Sequence, residues 1–277
     1  MVWAGLFLAL VSAIAVNWAY TREHTAARLL PPLSARRPLA AARILVGSQA
    51  WLVGFAAETA GWLVYIAALR LAPLALVQAV GAGGIAVLAL LQSHGHPSRL
   101  ARREQLGAGA AVVGLALVAA SLIGTEPSDH VPPVAAAIVW LGACAGASLV
   151  FSAARLRLGS AATLGLGAGM LFAAGDISAK LVVFGGGWLL ALVPLVVAYA
   201  LGSIELQSAF QHGGALTTAG LATLATNAVP IVAGIVLFEQ TTGGDGQRVL
   251  ELVAFGLMVA AATLLSRPPT YEEPVVE

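Results

Sequence analysis

Residues 45 to 69 read LVGSQAWLVGFAAETAGWLVYIAAL. At about 1.5 Å per residue such a run, wound as a helix, is long enough to cross a hydrocarbon core roughly 30 Å thick. It carries a single ionisable side chain, Glu58, thirteen residues from one end and eleven from the other. A carboxyl at that depth is too far from either surface to reach bulk water, so it must face protein or a water-filled space. Two roles suit it: it binds a cation or proton, or it stays protonated and donates a hydrogen bond to a neighbouring helix.

The rest of the chain supplies the same setting. Hydrophobic residues make up 59% and charged residues 10%, with a mean hydropathy of +0.90. A water-soluble domain carries about a quarter charged residues, so this composition excludes a soluble fold and indicates an all-α integral membrane protein. The net charge of +1 comes from arginines scattered through short loops, which gives nucleic acid no basic face to bind. Cys144 is the sole cysteine, so no internal disulfide or cysteine metal site can form.

Nine apolar segments are long enough to span, at approximately 2–20, 45–69, 73–93, 105–124, 134–154, 160–184, 188–211, 214–238 and 249–266. Proline-, glycine- and arginine-rich stretches separate them. No basic residue precedes the first segment, which therefore reads as a retained helix and not a signal peptide. The chain divides into an N-terminal transmembrane half at 1–124, a C-terminal half at 134–266 and a tail at 267–277. With the N-terminus outside, eleven arginines fall on the cytoplasmic side, and only Arg70 and Arg248 fall outside. The positive-inside rule thus predicts a multi-pass protein of the cytoplasmic membrane, N-terminus out and C-terminus in.

Residues 64–91 and 205–238 share a pattern: a helix, a polar elbow, then a helix that starts in small apolar residues. In the predicted topology the helices of one copy run opposite to those of the other, so the halves form two inverted repeats. That architecture suits alternating access. Gly165 and Gly169, Ala110 and Gly114, and Gly81, Gly83 and Gly84 are placed to let helix backbones approach closely. Pro230 predicts a kink in the eighth span, with Thr226 and Asn227 beside it to cover freed carbonyls.

Besides Glu58, and leaving aside Glu251 at the very start of the last segment, three ionisable residues lie within the spans proper: Asp176, Lys180 and Glu205. Each costs a few kcal/mol at the bilayer centre, which makes them the functional candidates. Lys180, the one lysine, is roughly 6 Å from the outer end of its helix and can snorkel. Asp176 stands four positions before it, so the two can instead meet as a charge pair and gate the outer mouth of a path. Glu205 is deep enough to require a partner that the sequence does not name. HExxH, GxSxG and P-loop signatures are missing, so neither an enzyme nor a nucleotide cofactor is expected.

The stretch GFAAETAGWLVYIAALRLAPLALVQAVGAG, residues 54–83, is similar to the second and third helices of the NIPA-type magnesium transporters. Glu58 takes the glutamate position, Ala72-Pro73 the AP, Val77 the end of the LV, and Val80-Gly81-Ala82 the LGA. Ala57 stands where that family has a glycine, and Gln78-Ala79 where it has a proline-containing turn. The resemblance implies membership of the drug/metabolite transporter superfamily, with its EamA-like inverted repeats. It also implies magnesium as substrate, with Glu58 at the metal and Glu58, Asp176, Glu205 and Asn227 offering oxygens to a hydrated ion.

The reading is a secondary transporter of a small solute or divalent cation, with no cofactor. Its partners are the lipid bilayer and the transported species, with a homodimer left open. Export of a metabolite or amino acid, with Glu58 carrying coupling protons, is the alternative within transport. A membrane scaffold is the alternative outside it, and midplane charge argues against one.

Overall fold

The computed structural model describes residues 2–71, 84–93, 101–121, 130–158, 160–239 and 245–266, and these form α-helices with no strand among them. They are α1 (Val2–Ala27), α2 (Pro38–Val46), α3 (Gln49–Leu71), α4 (Gly84–Gln92), α5 (Arg102–Ser121), α6 (Val134–Leu158), α7 (Ser160–Val183), α8 (Leu192–Phe210), α9 (Ala215–Val236) and α10 (Asp245–Ser266), with a 3-10 turn at Gly186–Ala191 leading into α8. Five helices among the described residues are long and apolar enough to cross a membrane, and a sixth span results if α2 and α3 are taken together across their 95° bend. Of the nine expected spans, residues 72–83 of the third, with the family-like Ala72-Pro73, Val77 and Val80-Gly81-Ala82, lie outside the described residues, as does the tail at 267–277.

Local sequence explains the breaks. Pro38 opens α2, where its missing N–H costs nothing. Gly47 ends that helix, and Ser48 caps the next one, its hydroxyl accepting from the Trp51 N–H at 3.3 Å. At the other bend the chain needs left-handed backbone at Gly185 (φ 72°) and Gly186 (φ 54°), which the run of glycines supplies. Helix α9 continues through Pro230 to Val236. Proline at 230 frees the Thr226 carbonyl, but Asn227 donates to the Thr223 carbonyl at 2.7 Å and the Thr226 hydroxyl donates to Gly169 O at 3.4 Å. The cover expected from those two side chains therefore serves other acceptors.

Packing is organised in two sets. In the first, α1 lies along α3 and α4. In the second, α7 lies along α8 and α9, while α5 and α10 pack against each other and α6 lies outside, on α7. Small residues permit this: a Cβ at Gly165 would meet Thr218 O at 2.7 Å, and one at Gly169 would meet Ala222 O at 2.6 Å. The C-terminal part of α1 sits beside the C-terminal end of α8 through Glu23 and Gln207, and Glu205 of α8 sits against Gly167 near the start of α7. Helices α1 and α7 therefore run in opposite directions.

The same contacts bring the end of α1, the start of α3 and the start of α9 to one face, where His24 Nε2 donates to Gly213 O at 2.8 Å. Leu265 at the end of α10 joins them by packing on Gly107 and Gly220. That face carries Arg22, Arg28, Arg36, Arg37, Arg43, Arg102 and Arg103. Large apolar side chains such as Ile138, Val139, Leu149 and Val150 of α6 stay exposed, as lipid-facing positions require.

Candidate transport site

Glu58 is placed by the glycines one turn away on either side. Gly54 lets α3 settle so close to α1 that a Cβ there would stand 2.6 Å from Glu23 Cγ, and Gly61 does the same against Val16 at 2.8 Å. The Ser12 hydroxyl fixes the register by donating to Gly61 O at 2.7 Å. The result is that Glu58 meets Glu23 and Tyr20 through side-chain hydrogen bonds. Glu23 is fully buried and also accepts from Gln207 Nε2. The remaining oxygen of that amide, Gln207 Oε1, is buried without a hydrogen-bond partner.

Two carboxyl groups can face each other in this way only with a proton or a cation between them, since two bare carboxylates repel strongly away from water. The pair is thus a place where a positive charge must reside.

A cavity of about 240 Å³ adjoins the pair, lined by helices of both sets. Asn17 of α1 and Asn227 of α9 border it, together with Thr223 and Thr226. Both asparagines spend their Nδ2 on the carbonyl four residues back, Asn17 on Ala13 and Asn227 on Thr223, each at 2.7 Å. Their Oδ1 atoms are left as acceptors. Glu58 and Phe172 line this cavity and also a second, more apolar groove of about 440 Å³ that lies between α3 and α8. Glu58 is accordingly the wall between two spaces.

The four sequence candidates separate. Glu58 and Asn227 come together in the central cavity, whereas Asp176 and Glu205 border neither it nor the groove. Glu205 is buried and accepts from Ser148 at 3.3 Å and from Ser152, both on α6, beside a chamber of about 30 Å³ that Arg36 also lines. Those serines are the partner that the sequence left unnamed. The expected Asp176–Lys180 charge pair is not formed. Asp176 accepts instead from the Tyr199 hydroxyl of α8, and the Lys180 ammonium lies over the rings of Phe184 and Phe238, 5.7 and 6.0 Å from their centroids. Spacing of four along a helix allows the two to meet, but the Tyr199 phenol of α8, the ring of Phe184 at the end of the same helix and the ring of Phe238 just past α9 hold them instead.

Glu23, Tyr20, Asn17 and Gln207 escaped the sequence reading. A first span closed at residue 20 turns Glu23 into a loop residue, yet TREHTAA, residues 21–27, contains no glycine or proline and α1 runs on through it. The absence of a breaker before Pro31 was the available signal.

Among the described residues no group of three or more His, Cys, Asp and Glu side chains is gathered to hold a metal ion. A cage of that kind suits zinc, whereas magnesium keeps much of its water and is bound through one or two carboxylates. The Glu23–Glu58 pair, with the Gln207, Asn17 and Asn227 oxygens near it, is a donor set of the second kind.

No family model matches the chain, and no solved structure matches it. Among curated proteins it is 23% identical to the "Probable magnesium transporter NIPA9" of Arabidopsis thaliana over 290 residues, which cover 95% of this chain and 82% of that protein. Taken with the apolar helices, which fit a multi-pass membrane protein, this likeness supports a membrane transporter.

Proposed function

We propose that the protein is a secondary transporter that carries a divalent cation, magnesium in the first instance, by alternating access through the central cavity. The carrying observation is the carboxyl pair Glu23–Glu58 at the wall of a cavity bordered by both helix sets. Support for the motion comes from the pairing pattern. Replacing α1, α3, α4 and α5 by α7, α8, α9 and α10 reproduces the main contacts within each set, and α1 and α7 run oppositely, as inverted repeats do. The likeness to a probable magnesium transporter favours that ion. The arginine-bearing face is taken as cytoplasmic by the positive-inside rule, so a reporter fused after Glu277 should be found in the cytoplasm.

In this mechanism the hydrated ion enters the cavity, displaces the proton held between Glu58 and Glu23, and is steadied by amide oxygens while it keeps part of its water shell. Rearrangement of one helix set against the other then opens the site to the opposite side. Magnesium uptake into proteoliposomes tests the reading. Glu58→Gln keeps the shape and removes the charge, and should abolish uptake in protein that reconstitutes normally, while Glu58→Asp keeps part of it. Full uptake by the Gln variant would end the proposal.

A further inference from the structure

We propose that the groove between α3 and α8 is a second binding site, one that takes a lipophilic organic cation directly from the bilayer. Its volume, about 440 Å³, is that of a pocket for a small ligand. Trp51 and Phe55 stack along one wall with ring centroids 5.0 Å apart, and Trp62, Phe172 and Tyr199 complete an aromatic lining. Phe55 and Trp62 are 42% and 56% exposed, so the groove opens sideways toward hydrocarbon. Glu58 is the one carboxyl in this lining.

These features select the occupant by charge. Aromatic faces attract a cation, and the attraction grows when water is excluded. A carboxyl at the bottom of an apolar groove rewards a positive centre and penalises a neutral or negative one. A lipid acyl chain would fill the walls but would leave Glu58 unused. A hydrated divalent ion finds, beyond Glu58, only the hydroxyls of Thr59, Tyr199 and Ser203 on otherwise apolar walls, and would have to shed its water. The two spaces that share Glu58 therefore accept different cations: a small hydrated one on the central side and a bulky, weakly hydrated one on the lateral side. This site stands independently of the transport reading, because it concerns equilibrium binding on the groove side of Glu58.

The test uses two probes of the same shape and opposite charge, tetraphenylphosphonium and tetraphenylborate, in equilibrium dialysis against the full chain in lipid nanodiscs, with empty nanodiscs as background. Saturable binding is expected for the phosphonium and none above background for the borate. Trp62→Leu should weaken phosphonium binding roughly fivefold by removing a cation–π face, and Glu58→Gln should weaken it by more than about tenfold, a difference of 1.4 kcal/mol. Leu149→Ala, on the lipid-facing side of α6, should change nothing. If Glu58→Gln fails to fold, Trp62→Leu still decides. Equal partition of both probes, or phosphonium binding that survives either groove substitution, overturns the proposal and leaves the groove to bilayer lipid. Loss of phosphonium binding in Trp62→Leu with magnesium uptake retained supports a groove site separate from the transport site.

Discussion

The helix pairs α1–α3 and α7–α8 are built alike, each an antiparallel couple seated on glycines, and they treat their acids in opposite ways. In α7–α8, Asp176 and Glu205 each receive hydroxyl donors: Tyr199 for the first, Ser148 and Ser152 for the second. In α1–α3, Glu23 and Glu58 are given each other. A carboxylate held by hydroxyls is satisfied as an anion and needs no visitor, because charge-assisted hydrogen bonds offset its desolvation. Facing carboxyls are satisfied only while a removable positive charge lies between them. The lesson is that similar packing serves two ends: one couple surrounds its acids with hydroxyl donors, and the other sets its acids against each other, which is what the proposed exchange of a proton for an ion needs.

The sharpest way to break the contrast is a double-mutant cycle on uptake. Glu23→Gln should lower magnesium uptake by more than about tenfold, and adding Glu58→Gln should cost little further, because groups that act as a unit are not additive. Additive losses would mean two separate roles and would dissolve the pair. For the other couple the expected effect is on stability. Ser148→Ala with Ser152→Ala leaves a buried carboxylate short of donors and should cost about 1–3 kcal/mol, read as a lowered unfolding temperature in detergent, with uptake by the folded fraction retained. A collapse of uptake at unchanged stability would move Glu205 into the transport path.

Tyr199→Phe removes one donor from the half-buried Asp176 and should cost about 0.5–1.5 kcal/mol in the same assay. The smallest effect belongs to Lys180→Met, which forfeits a cation–aromatic contact of about 0.5–1 kcal/mol. Uptake should be insensitive to it. Strong inhibition by Lys180→Met would restore a gating role that the geometry does not support.

Legibility in the sequence followed the range of the physics involved. Spans could be read because the bilayer imposes a length and a polarity on every helix, and five of them, or six with α2 and α3 taken together, recur among the described residues, although the segment at 45–69 runs across the bend between α2 and α3. Glu58 could be singled out from depth alone. Its partner could not, since Glu23 becomes a membrane residue only when α1 is seen to continue past Tyr20, and only the glycine contacts at Gly54 bring it to Glu58. Asp176 and Lys180 failed for the complementary reason. Spacing along one helix states who can meet, and offers Lys180 the ring of Phe184 as readily as Asp176, while Tyr199 and Phe238 arrive from other helices and settle who does.

One side chain at the arginine-bearing face ties the two helix sets together. Just past α8, Gln211 donates through Nε2 to the carbonyls of Ala27, Leu30 and Pro31 at 2.9, 3.1 and 3.0 Å, and its Oε1 accepts from the Leu33 N–H at 2.9 Å. Ser208 adds a bond to Leu33 O at 3.0 Å. In mechanical terms this is a riveted joint, with the loop after α1 as one plate and the end of α8 as the other. A lever fixed at one end sweeps its widest arc at the other, so any rocking of one set on the other is largest at the face remote from Gln211, where the left-handed bend at Gly185–Gly186 provides slack.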